Sequence, residues 1–147
     1  MRTIEDILKI FPLTAVSDWT QHLNGHGWIK TTACADVTSY IEGIVSGSAR
    51  VSGNALVSGN AQVFGNALVS GNAQVFGDSW AVSPLYIQGS RHAATNCSYG
   101  HISIGCEIHT FIEWEKLYKS IGLSHGYSPA EILEYEAIIT LFAKIGR

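Results

Sequence analysis

Residues 45–80 read VSGSAR-VSGNAL-VSGNAQ-VFGNAL-VSGNAQ-VFGDSW, one six-residue phrase written six times. A short fixed period outranks local propensity, because each copy must take the same conformation and stack on the next. Valine falls at 45, 51, 57, 63, 69 and 75, and a small residue follows four places later, at Ala49, Ala55 and Ala61 among others. Both sets can point inward while Gly-Asn or Gly-Ser turns each corner. Gly reaches positive φ without steric cost and Asn tolerates it better than most residues.

The phrase resembles the hexapeptide repeat of left-handed β-helices, in which three phrases make one triangular coil. That resemblance implies a mainly β fold: a short left-handed parallel β-helix of about 3.5 coils, with an N-terminal helix and two C-terminal helices. The inward series extends to Ile29, Ala35 and Ile41 before the clean repeats, and through Val75 to Ala81 and Ile87 after them. Between Ile41 and Val45 the interval is four residues, so one corner is shortened there. Stacking at eighteen residues sets Val45 on Val63, Gly47 on Gly65, Gly53 on Gly71 and Asn54 on Asn72. The 147 residues then read as one domain. Residues 1–28 form a helix and lead-in loop, 29–88 the coils, 89–109 a strand and loop segment, and 110–147 two helices.

The same register sorts the outward residues. Phe64, Leu68, Val82 and Tyr86 gather beside Ser46 and Arg50, and Phe76 and Trp80 gather beside Ser58 and Gln62. The third face, with Ser52, Ser70, Gln74 and Gln88, is polar apart from Leu56. Clustered exposed apolar groups mark partner surfaces. The expectation is a homo-oligomer, a trimer, joined through Phe64, Leu68, Val82 and Tyr86, unless the terminal helices cover those faces. Thr3 caps a first helix that ends at Pro12. Thr110 with Glu113, and Ser128 with Glu131, open two more as capping boxes. HISIGCEI, residues 101–108, reads as a strand.

With nine basic and twelve acidic residues the net charge is −3, which argues against general nucleic-acid binding. No apolar run suits a membrane span, and Glu5 and Asp6 interrupt the opening MRTIEDILKI, so the chain is expected in the cytoplasm. Cys34, Cys97 and Cys106 form no paired framework and read as thiols of a reducing compartment. Cys97, His101, Cys106 and His109 raise a structural zinc reading, but their spacing fits no familiar finger and no metal or cofactor is assigned. The glycine-rich stretch from His22 to Trp28 reads as a turn, with Trp28 plugging the open end of the prism or lining a ligand loop. Arg91 and His92 are a basic pair suited to a phosphate or carboxylate.

Trp19, His22, Asn24, Gly25, Gly27 and Trp28 write W-x-x-H-x-N-G-x-G-W before the coils. Ile104, Gly105, Cys106, His109 and Thr110 write I-G-C-x-x-H-T after them. In both motifs the chain resembles small hexapeptide-repeat proteins of phages and prophages, over about residues 19 to 145. That likeness implies a trimer, and it brings host defence into view. Enzymes on this scaffold, the hexapeptide acyltransferases and gamma-type carbonic anhydrases, place histidines on the coils; here none lies between His26 and His92. The expected function is therefore a non-catalytic phage-type protein that sequesters a small anionic nucleotide at subunit interfaces. Trp28, Arg50, Arg91, His92, Tyr99 and His101 are the candidate contacts. The alternatives are a module docking on a host or phage protein through its aromatic faces, and a hexapeptide acyltransferase.

Overall fold

The computed structural model describes residues 1–147 and forms two compact units, Met1–Ser83 and Pro84–Arg147. No helix is long and apolar enough to cross a membrane.

Met1–Ser83 is a β-solenoid of about three turns whose short strands stack into three faces, parallel throughout except for the antiparallel lead-in Trp19–Gln21. The first face runs Trp19–Gln21, Trp28–Lys30, Ile44–Val45, Gln62–Val63 and Ser79–Trp80; the second Cys34–Ala35, Arg50–Val51 and Leu68–Val69; the third Tyr40–Ile41, Leu56–Ser58 and Gln74–Phe76. The inward valines and alanines of the repeats are buried. Ile29, Ala35 and Ile41 sit on Val45, Val51 and Val57, sixteen residues on, and those valines sit on Val63, Val69 and Val75, eighteen on. The short first coil is the shortened corner expected between Ile41 and Val45. Gly43 occupies it because a Cβ there would run into the Ala61 carbonyl oxygen. Gly47, at φ 66°, lies so close over Gly65 that an added Cβ would come within 2.8 Å of the Gly65 nitrogen. Only glycine meets both demands.

The last phrase breaks the phase. Asp78 N–H closes onto the Phe76 carbonyl (2.6 Å), the corner loses a residue, and Trp80 rather than Ala81 stacks on Val63. Trp80 is therefore an inward residue, 1 % exposed, instead of an outward one. The coils also stop before residue 88. Tyr86–Gln88 pairs antiparallel with Ala93–Ser98, so Ile87 and Tyr86 belong to the second unit.

Helix α1 (Ile4–Ile10) is opened by Thr3 and Asp6 in a capping box. It lays Ile7 against Trp19 and Ile44, with Trp28 and Phe11 packed around them, and so covers the upper part of the first face. Trp28 accordingly faces outward beneath α1, level with Ile44, and its indole N–H donates to the Arg2 carbonyl (2.9 Å). It does not plug the prism. The tryptophan that fills the interior is Trp80.

Pro84–Arg147 carries a sheet of its own, four antiparallel strands in the order Tyr86–Gln88, Ala93–Ser98, His101–Ile104 and Glu107–Thr110. HISIGCEI is thus not one strand but most of a hairpin, because Gly105 turns at φ 59° and Ile104 pairs with Glu107. Glycine leading a two-residue loop is what such hairpins favour. Helices α2 (Phe111–Ser124) and α3 (Pro129–Ile145) start at the two expected capping boxes. Trp114, Tyr135, Ile139 and Phe142 bury their apolar stripes on Ala94, Ile102 and Ile104. The C-terminal helices therefore have this sheet to cover.

Candidate functional site

The W-x-x-H-x-N-G-x-G-W stretch is a structural cap on the first coil. His22 is 6 % exposed; its Nε2 meets the Asp36 carbonyl (3.0 Å), and its Nδ1 lies 2.8 Å from the Asn24 carbonyl and 3.2 Å from the Asn24 N–H. The Asn24 side chain donates to the Ser39 carbonyl (3.0 Å), its own carbonyl accepts the Ile41 N–H (2.9 Å), and the Gly27 N–H donates to the Ile41 carbonyl (2.6 Å). A Cβ on Gly25 or Gly27 would strike the Ile41 backbone. His22, Asn24, Gly25 and Gly27 thus close an edge that the parallel coils leave unpaired, while Trp19 and Trp28 pack under α1.

Chemistry gathers instead in Pro84–Arg147. Four residues, Gly89 to His92, connect the first two strands of the sheet, and α3 grips that connection. The Tyr135 hydroxyl accepts the N–H groups of Arg91 (3.2 Å) and His92 (2.5 Å) and donates to the His92 carbonyl (2.6 Å). The Ser90 hydroxyl first, and then the Ser90 N–H (2.6 Å), donate to Glu134 and hold its carboxyl below the usual range. The Arg91 guanidinium donates to the Gly126 (3.0 Å) and His125 (3.2 Å) carbonyls at the end of α2. It also lies 4.6 Å over the Tyr127 ring and 3.6 Å from Glu131. Arg91 thus clamps the α2–α3 connection to the sheet loop, and its donors are directed at that backbone. Burial pushes the Tyr127 hydroxyl up to about 12, against the opposing pull of Arg91.

That clamp frames a cavity of about 40 Å³. Ile104, Trp114, Ile121, Ile132 and Ile139 make its floor, Tyr118, Tyr127 and Tyr135 its sides, and His92, Cys106, Glu107 and His125 its rim. One Glu107 oxygen meets His125 Nε2 at 3.0 Å and the other meets His109 Nε2 at 3.1 Å. These two hydrogen bonds, His125 first, hold the Glu107 carboxyl below its ordinary value, so the rim carries a carboxylate bridged by two imidazoles. His109 is fixed in turn by the edge-on Trp114 ring, 5.0 Å between centroids. Such a rim can bind charge of either sign, and the aromatic sides suit a flat ring lying across the opening.

Of the residues expected in a site, His92 alone lines this cavity. Trp28 lies under α1. Arg50 is exposed on the second solenoid face between Cys34 and Leu68. Tyr99 is half exposed and His101 donates from Nδ1 to the Tyr99 carbonyl (2.9 Å), both at the far end of the 98–101 turn from Gly105. The four proposed zinc donors do not assemble. Cys97 is buried in its strand, whereas Cys106, Glu107 and His125 bring donor atoms within 4.8 Å of one another. His125 and Tyr127 carry no mark of a site in the sequence. Their signal was positional, a His-Gly-Tyr turn between two capped helices facing the Gly-Cys hairpin loop.

A family model described as the YdcK Beta solenoid repeat matches residues 49–63 and 61–77, the regular VSGNA-type phrases of the first unit. No curated protein and no solved structure matches the chain. The likeness supports a repeat β-solenoid protein and stops short of the second unit, where the rim residues lie.

Proposed function

We propose that the chain is a non-catalytic binding protein that sequesters a small ligand, a nucleotide by its chemistry, in the manner of a phage protein countering host defence. The observation that carries this reading is the apolar cavity with aromatic sides and imidazoles at its rim. A base would lie across the opening against Tyr127 and His92, which stand 6.2 Å apart between ring centroids. The His125 ring would face its phosphate. The I-G-C-x-x-H-T likeness to phage and prophage proteins falls on this same rim. Arg91, read from sequence as a phosphate contact, serves here by holding the rim in place.

The test is to denature protein purified from cells, identify released small molecules by mass spectrometry, and titrate linear and cyclic nucleotides by calorimetry. A stoichiometric nucleotide supports the reading. Silence across the panel, or product formation from any member, sinks it. His92→Ala should weaken binding about tenfold with little change in melting. Arg91→Ala should instead lower the stability of Pro84–Arg147 by about 1–3 kcal/mol, since it strips two carbonyl hydrogen bonds and a cation–π contact. Equal melting of Arg91→Ala and the parent protein would show that the clamp contributes nothing.

A second reading has its own observation. The Phe64 N–H donates to the Trp80 carbonyl and the Leu68 N–H to the Ser83 hydroxyl, so Val82 runs between Phe64 and Leu68. All three are exposed, at 36 %, 41 % and 46 % for Phe64, Val82 and Leu68. This apolar corner supports self-association, as a trimer, or docking on another protein. Tyr86, expected with them, lies in the second unit's sheet and donates its hydroxyl to Gln88 (3.0 Å). Light scattering on eluting protein should give three times the chain mass, and Leu68→Lys should reduce it to one. A parent protein that elutes as a monomer removes the trimer.

A further inference from the structure

The geometry points to a transition-metal site of the zinc class on the cavity rim, with Cys106, Glu107 and His125 as ligands and His109 as the outer partner of Glu107. The three donors are of the kind that selects zinc: a thiol, an imidazole and a carboxylate, rather than the all-oxygen sets of magnesium or calcium. They reach the rim from two separately fixed elements. Cys106 and Glu107 stand at the Gly105 turn of the hairpin, and His125 caps α2 with its N–H on the Ile121 carbonyl (3.0 Å). Arg91 fixes the same residue from the other side through the His125 carbonyl.

The donor atoms lie within 4.8 Å of one another. Tetrahedral bonds of about 2.0–2.3 Å need ligand atoms about 3.3–3.8 Å apart. Side chains must therefore draw in by roughly 1 Å around an ion. They have that freedom, since Cys106 is exposed and the His125 and Glu107 side chains are 42 % and 34 % exposed. On loading, His125 exchanges its hydrogen bond to Glu107 for the metal, its ring proton passing from Nε2 to Nδ1; the Cys106 thiol gives its proton to solvent, and Glu107 keeps His109 on its second oxygen. A carboxylate ligand braced by an imidazole, itself braced by Trp114, is the outer support that metal sites use. Three protein donors leave a fourth position open to water or to a ligand at the rim. This inference goes beyond the nucleotide reading and holds whether or not a nucleotide binds.

The test uses chelator-treated full-length protein titrated with Co²⁺ and, by competition with an indicator, with Zn²⁺. One Co²⁺ per chain is expected, with a thiolate-to-cobalt charge-transfer band. Cys106→Ser should abolish the band, and His125→Ala and Glu107→Gln should each weaken Zn²⁺ binding about a hundredfold or more. His109→Ala should weaken it about 10–100-fold. Cys34→Ser, which removes the other exposed thiol, should change nothing. Metal-free Cys106→Ser melting like the parent protein would assign its loss to the missing ligand. A missing thiolate band, a band that survives Cys106→Ser, or one lost in Cys34→Ser overturns the site.

Discussion

Val63→Asp should unfold the solenoid, whereas Gln62→Asp, one residue away, should leave it folded. Val63 is fully buried, with Val45 on one side and Trp80 on the other. The column is valines, alanines and the Trp80 indole, whose single N–H could not by itself compensate a buried carboxylate. A charge without a partner in such a site costs many kcal/mol, or several even if it is neutralised by protonation. A unit of this size has about 5–15 kcal/mol to lose, and its coils are held only by their neighbours. Gln62 points the other way, between Ile44 and Ser79 on the outer side of the first face, and its substitution should cost well under about 1 kcal/mol. Circular dichroism melts of the two variants decide the matter. Equal damage from both would mean that the inward register is wrong.

That register was legible because a β-solenoid writes its geometry directly into the chain. Inward, outward and corner positions recur at fixed intervals, so Val45 on Val63 and the short corner after Ile41 both follow from counting. The limits of counting are equally physical. VFGDSW looks like another phrase, yet its Gly-Asp corner is one residue tighter, and Trp80 takes the place that the count gives to Ala81. Ile87 keeps the six-residue phase by coincidence, and an antiparallel partner, Ala94, claims it instead. Periodicity predicts stacking only while every corner has the same length.

The rim was less legible, for a different reason. Cys106 and His109 stand out as potential ligands, but strand geometry separates them from Cys97 and His101. The groups that join Cys106 come from Glu107 beside it and from His125, across a helix. Arg91 shows the same effect. Next to His92 in sequence it reads as an anion contact, while the fold turns its guanidinium onto the end of α2. Residues at helix ends and hairpin loops acquire their chemistry from what the tertiary structure sets opposite them. No local pattern records that.

Tyr135→Phe should be the most damaging conservative change in the second unit. Tyr135 is 4 % exposed, and a single hydroxyl meets the Arg91 and His92 N–H groups and the His92 carbonyl. Phenylalanine keeps the packing and removes all three partners at once. The His92 carbonyl retains the Gly89 N–H (3.2 Å), but the two loop N–H groups lose their acceptor. Both N–H groups are only partly buried, so the loss should be about 1–2 kcal/mol, or a fall in melting temperature of roughly 5–15 °C. Tyr118→Phe is the control: its hydroxyl bonds Glu136 at the surface, and its loss should leave the melting temperature close to that of the parent protein. Because Tyr135 positions the loop that carries Arg91, the two act as one device. Arg91→Ala should then cost less in the Tyr135→Phe background than in the parent protein, a coupling of the kind seen between residues that share a network. Strict additivity of the two changes, or a Tyr135→Phe variant as stable as Tyr118→Phe, would show that the loop is held by something other than this hydroxyl.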